Sequence, residues 1–142
     1  METAVGVGVV LALAVGALGT VVGFDRGRTY YAVIAIVVAS YYGLFAVLGG
    51  STASLWADGA VAAAFAVLAV AGYRTSLWLV VVALAGHGAM DAVHHLLIDN
   101  AGVPPWWPGF CAAFDIVAAL YLAVLLVRRG EPRELAAGAR LP

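Results

Sequence analysis

Five stretches of the chain, at about 3–23, 29–48, 54–72, 75–98 and 106–127, are each close to 20 residues long and overwhelmingly apolar. A hydrocarbon layer of about 30 Å is crossed by roughly 20 residues of helix, because each residue advances the helix by about 1.5 Å. In lipid every backbone N–H and C=O must be satisfied internally, which leaves the α-helix as the conformation for such isolated stretches. The connections at 24–28, 49–52, 73–74 and 99–105 are short. Two of them carry the breaker residues of turns, Gly49-Gly50-Ser51-Thr52 and Val103-Pro104-Pro105. The expected fold is an all-α integral membrane bundle of five transmembrane helices in a single domain. Charged residues are 11% of the chain against about 25% in soluble domains, too few to clothe a water-soluble globule of 142 residues.

The basic residues fix an orientation. All seven are Arg. Arg26 and Arg28 lie in the first connection, Arg74 in the third, and Arg128, Arg129, Arg133 and Arg140 follow the fifth span. Five spans put every one of them on the same face, whereas four or six would divide them. Cytoplasmic loops collect Lys and Arg, so the N-terminus is expected outside and the C-terminus, with a tail at 128–142, in the cytoplasm. The first span starts Met1-Glu2-Thr3 with no basic n-region, and its Arg residues come afterwards, so it reads as a retained helix and not a cleaved signal. Tyr30, Tyr31, Tyr73 and Trp78 suit the inner interface, and Trp56, Trp106 and Trp107 the outer one. Gly19 and Gly23 form a GxxxG pair, and stretches such as 60–66 are Gly/Ala-rich. Such faces permit tight helix packing and offer a surface for a homo-oligomer.

Several function classes are excluded. The chain has no Lys, so no retinal or pyridoxal Schiff base and no phosphate-loop lysine. The lone Cys111 rules out an intrachain disulfide or a multi-Cys metal cluster. A net charge of −1 leaves no basic excess for nucleic acid.

What needs explaining is the polar content of the spans, since an ionisable group at the bilayer centre costs about 2.5–3.5 kcal/mol on insertion scales. The fourth span carries His87, Asp91, His94 and His95, with the first three inside an arc of about 60°. The fifth adds Cys111 and Asp115 at i, i+4, and the third adds Asp58. By helix rise, His87 lies near mid-membrane, while Asp115, Asp91, Asp58 and Cys111 fall roughly 3–9 Å toward the outer face. His94 and His95 sit about 11–13 Å outward. Three separate segments thus place polar groups in one slab, the outer half of the bilayer. Imidazoles and carboxylates are the ligand set of a divalent metal, zinc first. His87, Asp91, His94 and Asp115 are the expected ligands, with Asp91 or Asp115 as general base on a metal-bound water. His95, Asp58, Cys111 and the mid-span Tyr41 are supporting groups. The same residues would also serve a proton relay or a small-solute transporter, or would hold helices together in a non-catalytic partner subunit.

Two stretches carry a resemblance: Arg28-Thr29-Tyr30-Tyr31 with Ala39-Ser40-Tyr41-Tyr42-Gly43, and Gly86-His87 through Asp91 and His94-His95 to Pro104-Pro105-Trp106-Trp107-Pro108-Gly109-Phe110-Cys111 and Asp115. Together they resemble a family of small prokaryotic multi-pass membrane proteins with no assigned activity. The resemblance implies residence in a prokaryotic cytoplasmic membrane, with the lipid bilayer as partner. In ligand chemistry the site is similar to intramembrane metal hydrolases of the alkaline ceramidase and adiponectin-receptor kind. Those have seven spans and another motif order, so no residue role carries over. The function this implies is hydrolysis of a lipid-like or small amphiphilic substrate.

Overall fold

A computed structural model describes residues 2–130. It consists of five helices, α1 (Glu2–Val22), α2 (Thr29–Leu48), α3 (Thr52–Arg74), α4 (Leu77–Leu97) and α5 (Trp107–Arg129), with one 3-10 turn at Phe24–Arg26. All five are long and apolar enough to cross a membrane, and no strand occurs among the described residues. α2 begins and ends where expected, and the ends of the other four helices differ from the expected spans by one or two residues, for local reasons. Ser51 and Ser76 cap α3 and α4, their hydroxyls accepting from the backbone N–H of Ser54 (3.1 Å) and Trp78 (3.4 Å). Gly23 ends α1 in the left-handed region at φ 87°. The tail residues Arg133 and Arg140 lie outside the described residues.

The chain closes on itself. α1 packs along α5, α5 along α4, and α2 along α3, while α4 also meets α3 and α2. Small residues set the closest approaches. Gly8, Ala12 and Gly16 form one face of α1 against α5, where a Cβ on Gly8 would run into the Phe110 carbonyl oxygen and one on Gly16 would lie 3.0 Å from the Tyr121 ring. Gly88 of α4 likewise faces Asp115 and Ile116 of α5. Gly19, expected in a GxxxG contact, is covered by the Tyr30 ring within the chain, and Gly23 is spent on ending the helix. Outward faces are predominantly apolar, with Val10, Val21, Val67, Leu48 and Leu96 bare, as expected of helices able to cross a membrane. The small-residue face of α3 through Ala60 and Ala64 also points outward.

The two ends of the bundle differ in chemistry. At one end Arg129 clasps Asp25 through its side chain (3.0 Å) and its carbonyl (2.9 Å). Thr20 donates to the same carboxylate (2.6 Å), and Arg28 reaches the Gly72 carbonyl (3.4 Å). Tyr31 is 3% exposed there, packed in the core and not at an interface, because its helix turns that face inward with Ala35, Val38 and Tyr42. At the other end the 99–105 connection folds over α2 and α3. Ser54 donates to the Asp99 carbonyl (2.6 Å), and Gly102 presses on the last turn of α2 so closely that a Cβ would strike the Phe45 carbonyl.

The α1–α5 seam makes a paired prediction. Gly8→Val should lower stability by about 1–3 kcal/mol, the usual penalty of overpacking a close contact. Gly6→Val, with nothing within 4 Å of the added Cβ, should stay within about 0.5 kcal/mol. Thermal unfolding of the two variants in the same detergent checks this.

Candidate metal centre

The expected polar slab condenses into two clusters that share α4. In the first, α4 supplies His87 and Asp91 one turn apart and α5 supplies Cys111 and Asp115, also one turn apart. Gly88 lets the two backbones approach closely enough for the side chains to meet. One donor atom from each of the four lies within 4.8 Å of the others, and all four residues are buried. His87 Nδ1–H donates to Asp115 Oδ2 at 2.6 Å, while Asp91 Oδ2 stands 3.5 Å from the same nitrogen. The Cys111 thiol leans on Asp115 Oδ2 at 3.9 Å. The Phe65 ring meets His87 edge-on at 5.2 Å and closes the side toward α3.

Asp91 is the exceptional member. It is 0% exposed, and neither of its carboxyl oxygens has a hydrogen-bond partner. It is the only described residue with both side-chain oxygens in that state. One oxygen of Asp115 and the hydroxyl of Tyr42, which faces Asp91, are also buried without partners. A buried carboxylate with no donor costs several kcal/mol unless a cation or a proton neutralises it.

The second cluster lies one to two turns nearer the 99–105 connection. His94 Nε2–H donates to Asp58 Oδ1 of α3 at 2.8 Å. Asn100 donates to the other Asp58 oxygen (2.7 Å) and to the Tyr42 carbonyl (3.1 Å), and its own oxygen accepts from the Gly102 N–H (3.1 Å). The Tyr42 ring stacks on His94 at 3.9 Å and so stands between the two clusters.

The expected site residues therefore divide. His87, Asp91 and Asp115 come together, and Cys111, expected in support, joins them as a fourth donor. His94, expected as a ligand, does not join. It shares a helix face with His87 but lies seven residues on, about 10.5 Å along the axis, too far for both to reach one ion. Asp58 supports His94 and not the four-donor group. His95 is exposed at the surface. Tyr41 turns away and packs on Trp107 at 5.0 Å, leaving Tyr42 at the site. The small residues Ala35, Ala39 and Ala46 share the buried face of α2 with Tyr42, a helical period in the sequence that points to Tyr42 over Tyr41. Asn100, in a connection read only as a turn, carried no such signal.

A cavity of about 530 Å³ opens at this end between α4, the 99–105 connection and the first turn of α5. Asp91 and His94 reach it from below and His95 and Asp99 at its rim, with Ile98 and Pro105 among its apolar walls. No Arg lies at this end among the described residues.

Asn100→Ala should cost about 1–3 kcal/mol, because it strips a donor from the buried Asp58 carboxylate. Asp99→Ala, an exposed neighbour, should cost less than about 0.5 kcal/mol. Unfolding midpoints in detergent distinguish the two. No protein-family model, curated protein or solved structure matches this chain, so the activity rests on the geometry of its own residues.

Proposed function

We propose that the chain is a multi-pass membrane protein of a prokaryotic cytoplasmic membrane that binds a divalent metal ion, zinc first, through His87, Asp91 and Asp115, with Cys111 as fourth donor. The observation that carries this reading is the Asp91 carboxylate, wholly buried with both oxygens unpartnered inside a four-donor group. Two carboxylates, an imidazole and a thiol suit a borderline cation. Tetrahedral ligands about 2.0 Å from zinc stand roughly 3.3 Å apart. The 2.6 Å His87–Asp115 contact is a proton-bridged pair, whose proton a bound cation would replace.

A bound cation supplies Lewis acidity and a water of lowered pKa. The chain contributes Asp91 among the residues lining the cavity, and apolar walls that suit an acyl chain. These features support a metal-dependent hydrolase of a lipid-like or small amphiphilic substrate. An apolar layer of Val80, Leu84, Ala118 and Leu122 separates the site from the Asp25 cluster, which favours a one-sided pocket over a transmembrane proton relay or transport path. A purely structural role is less favoured, because neither Asp91 oxygen is hydrogen-bonded, whereas Asp58 is hydrogen-bonded on both.

Two measurements test the proposal. Detergent-purified protein should carry a stoichiometric divalent metal by elemental analysis. An Asp91→Asn, Asp115→Asn double variant that remains helical should lose it, and metal-free wild type would overturn the reading. The Arg distribution supports an external N-terminus, which puts the cavity on the outer face. A C-terminal fluorescent-protein fusion should then be bright and a C-terminal alkaline phosphatase fusion inactive, and the reverse pattern would invert the orientation.

A further inference from the structure

His94 is buried, ordered and left over by the metal reading. Its Nε2 is committed to Asp58 at 2.8 Å, and Asp58 is itself held from behind by Asn100 at 2.7 Å. One ring face is covered by Tyr42 at 3.9 Å. A carboxylate fixed in this way accepts a proton and so imposes the Nε2–H tautomer on the imidazole, leaving Nδ1 with its lone pair. Among the described residues nothing hydrogen-bonds to Nδ1. It is not sealed in the core either, since His94 lines the cavity. A purely structural histidine needs no second ring nitrogen left without a partner in a residue that lines a pocket. The same carboxylate–imidazole geometry orients general bases in hydrolytic sites.

We propose that His94 is the proton-accepting group of this pocket, with Asp58 as its positioning residue, and that the substrate it serves is an acyl ester of an uncharged or cationic amphiphile. The inference deepens the metal reading and rests on it for activation of the water. In the step assigned to His94, a water in the cavity gives one proton to Nδ1 as its oxygen bonds to the acyl carbon. The ester C–O bond then breaks, and the same proton passes to the departing alkoxide. Water and ester become acid and alcohol, with no change of oxidation state. The substrate class follows from charge. The acidic groups at this end of the bundle are Glu2, Asp58, Asp91, Asp99 and Asp115, beside the three histidines and Cys111, whereas every described Arg lies at the opposite end. No guanidinium is at hand to hold an anionic phosphate headgroup. A neutral acyl carbonyl needs none, and the apolar walls at Ile98, Val103 and Pro105 fit its chain.

The experiment uses the full chain in detergent with the exposed neighbour removed by His95→Gln. Diethyl pyrocarbonate acylates unprotonated imidazole nitrogen, and fragment mass spectrometry locates the adduct. The dyad predicts modification at His94, slowed by Asp58→Asn, because the carboxylate that fixes the Nε2–H tautomer is lost. Nitrogen-15 spectra of histidine-labelled protein should show His94 as the Nε2–H tautomer, becoming mixed in Asp58→Asn. In the second arm, His94→Gln should keep its metal and lose turnover of p-nitrophenyl octanoate in micelles. An unmodified His94 in the otherwise native chain overturns the proposal without any need for the variants to fold. So does metal loss in a helical His94→Gln protein, which would make His94 a ligand. Absence of octanoate turnover in metal-loaded wild type overturns the acyl-ester assignment. A metal-free wild type with a reactive His94 sinks the metal reading alone and upholds the dyad.

Discussion

Two histidine–carboxylate bonds from a single helix organise this protein. His87 ties α4 to α5 through Asp115, and His94 ties α4 to α3 through Asp58. Helices in lipid gain nothing from burying apolar surface against one another, so their mutual arrangement depends on close packing and on polar bonds that hydrocarbon cannot replace. Here small residues do the first, at Gly8, Gly16, Gly72 and Gly88, and the two bonds do the second. The bonds also fix rotation. Each histidine has one partner helix, so α4 cannot turn about its axis without breaking both.

That arrangement produces two unequal sites from similar residues. Asp58 has a partner on each oxygen and behaves as a finished hydrogen-bonded carboxylate. Asp91 has none, although it lies only one turn from His87 and a helix away from Cys111. Hydrogen bonds to both oxygens of the first and to neither of the second set a supporting carboxylate apart from a candidate ligand. Sequence composition treats the two aspartates alike. The opposite end of the bundle repeats the polar theme without a cavity. There Asp25 is bound by Arg129 and Thr20 and serves to fasten the first connection to the last helix.

Much of this was legible before any coordinates. Five helices and their ends follow from runs of apolar residues, because lipid permits one backbone solution per run, and short connections force neighbours to be antiparallel. The slab of polar groups was legible too, since helical rise converts residue number directly into depth. What depth cannot supply is which neighbouring helix a side chain meets. His94 shares the angular window of His87, but lies about 10.5 Å further along the axis and bonds to Asp58 of α3. A lone cysteine is usually inert packing, and only the i, i+4 relation of Cys111 to Asp115, across from His87, gives it a place among the donors. Asn100 and the Asp25–Arg129 clasp depend on where connections fold back, which no periodicity encodes.

The seam between α1 and α5 has a bearing on how the chain is made. Synthesis delivers α1 first and its principal partner last, with three helices in between. Until α5 emerges, the Gly8–Ala12–Gly16 face has no mate, and the donors Cys111 and Asp115 do not yet exist beside His87 and Asp91. Assembly of the four-donor group and docking of the first helix are consequently completed by the same late event. A chain arrested before Trp107 would hold half of the four-donor group and leave α1 without the helix it packs against.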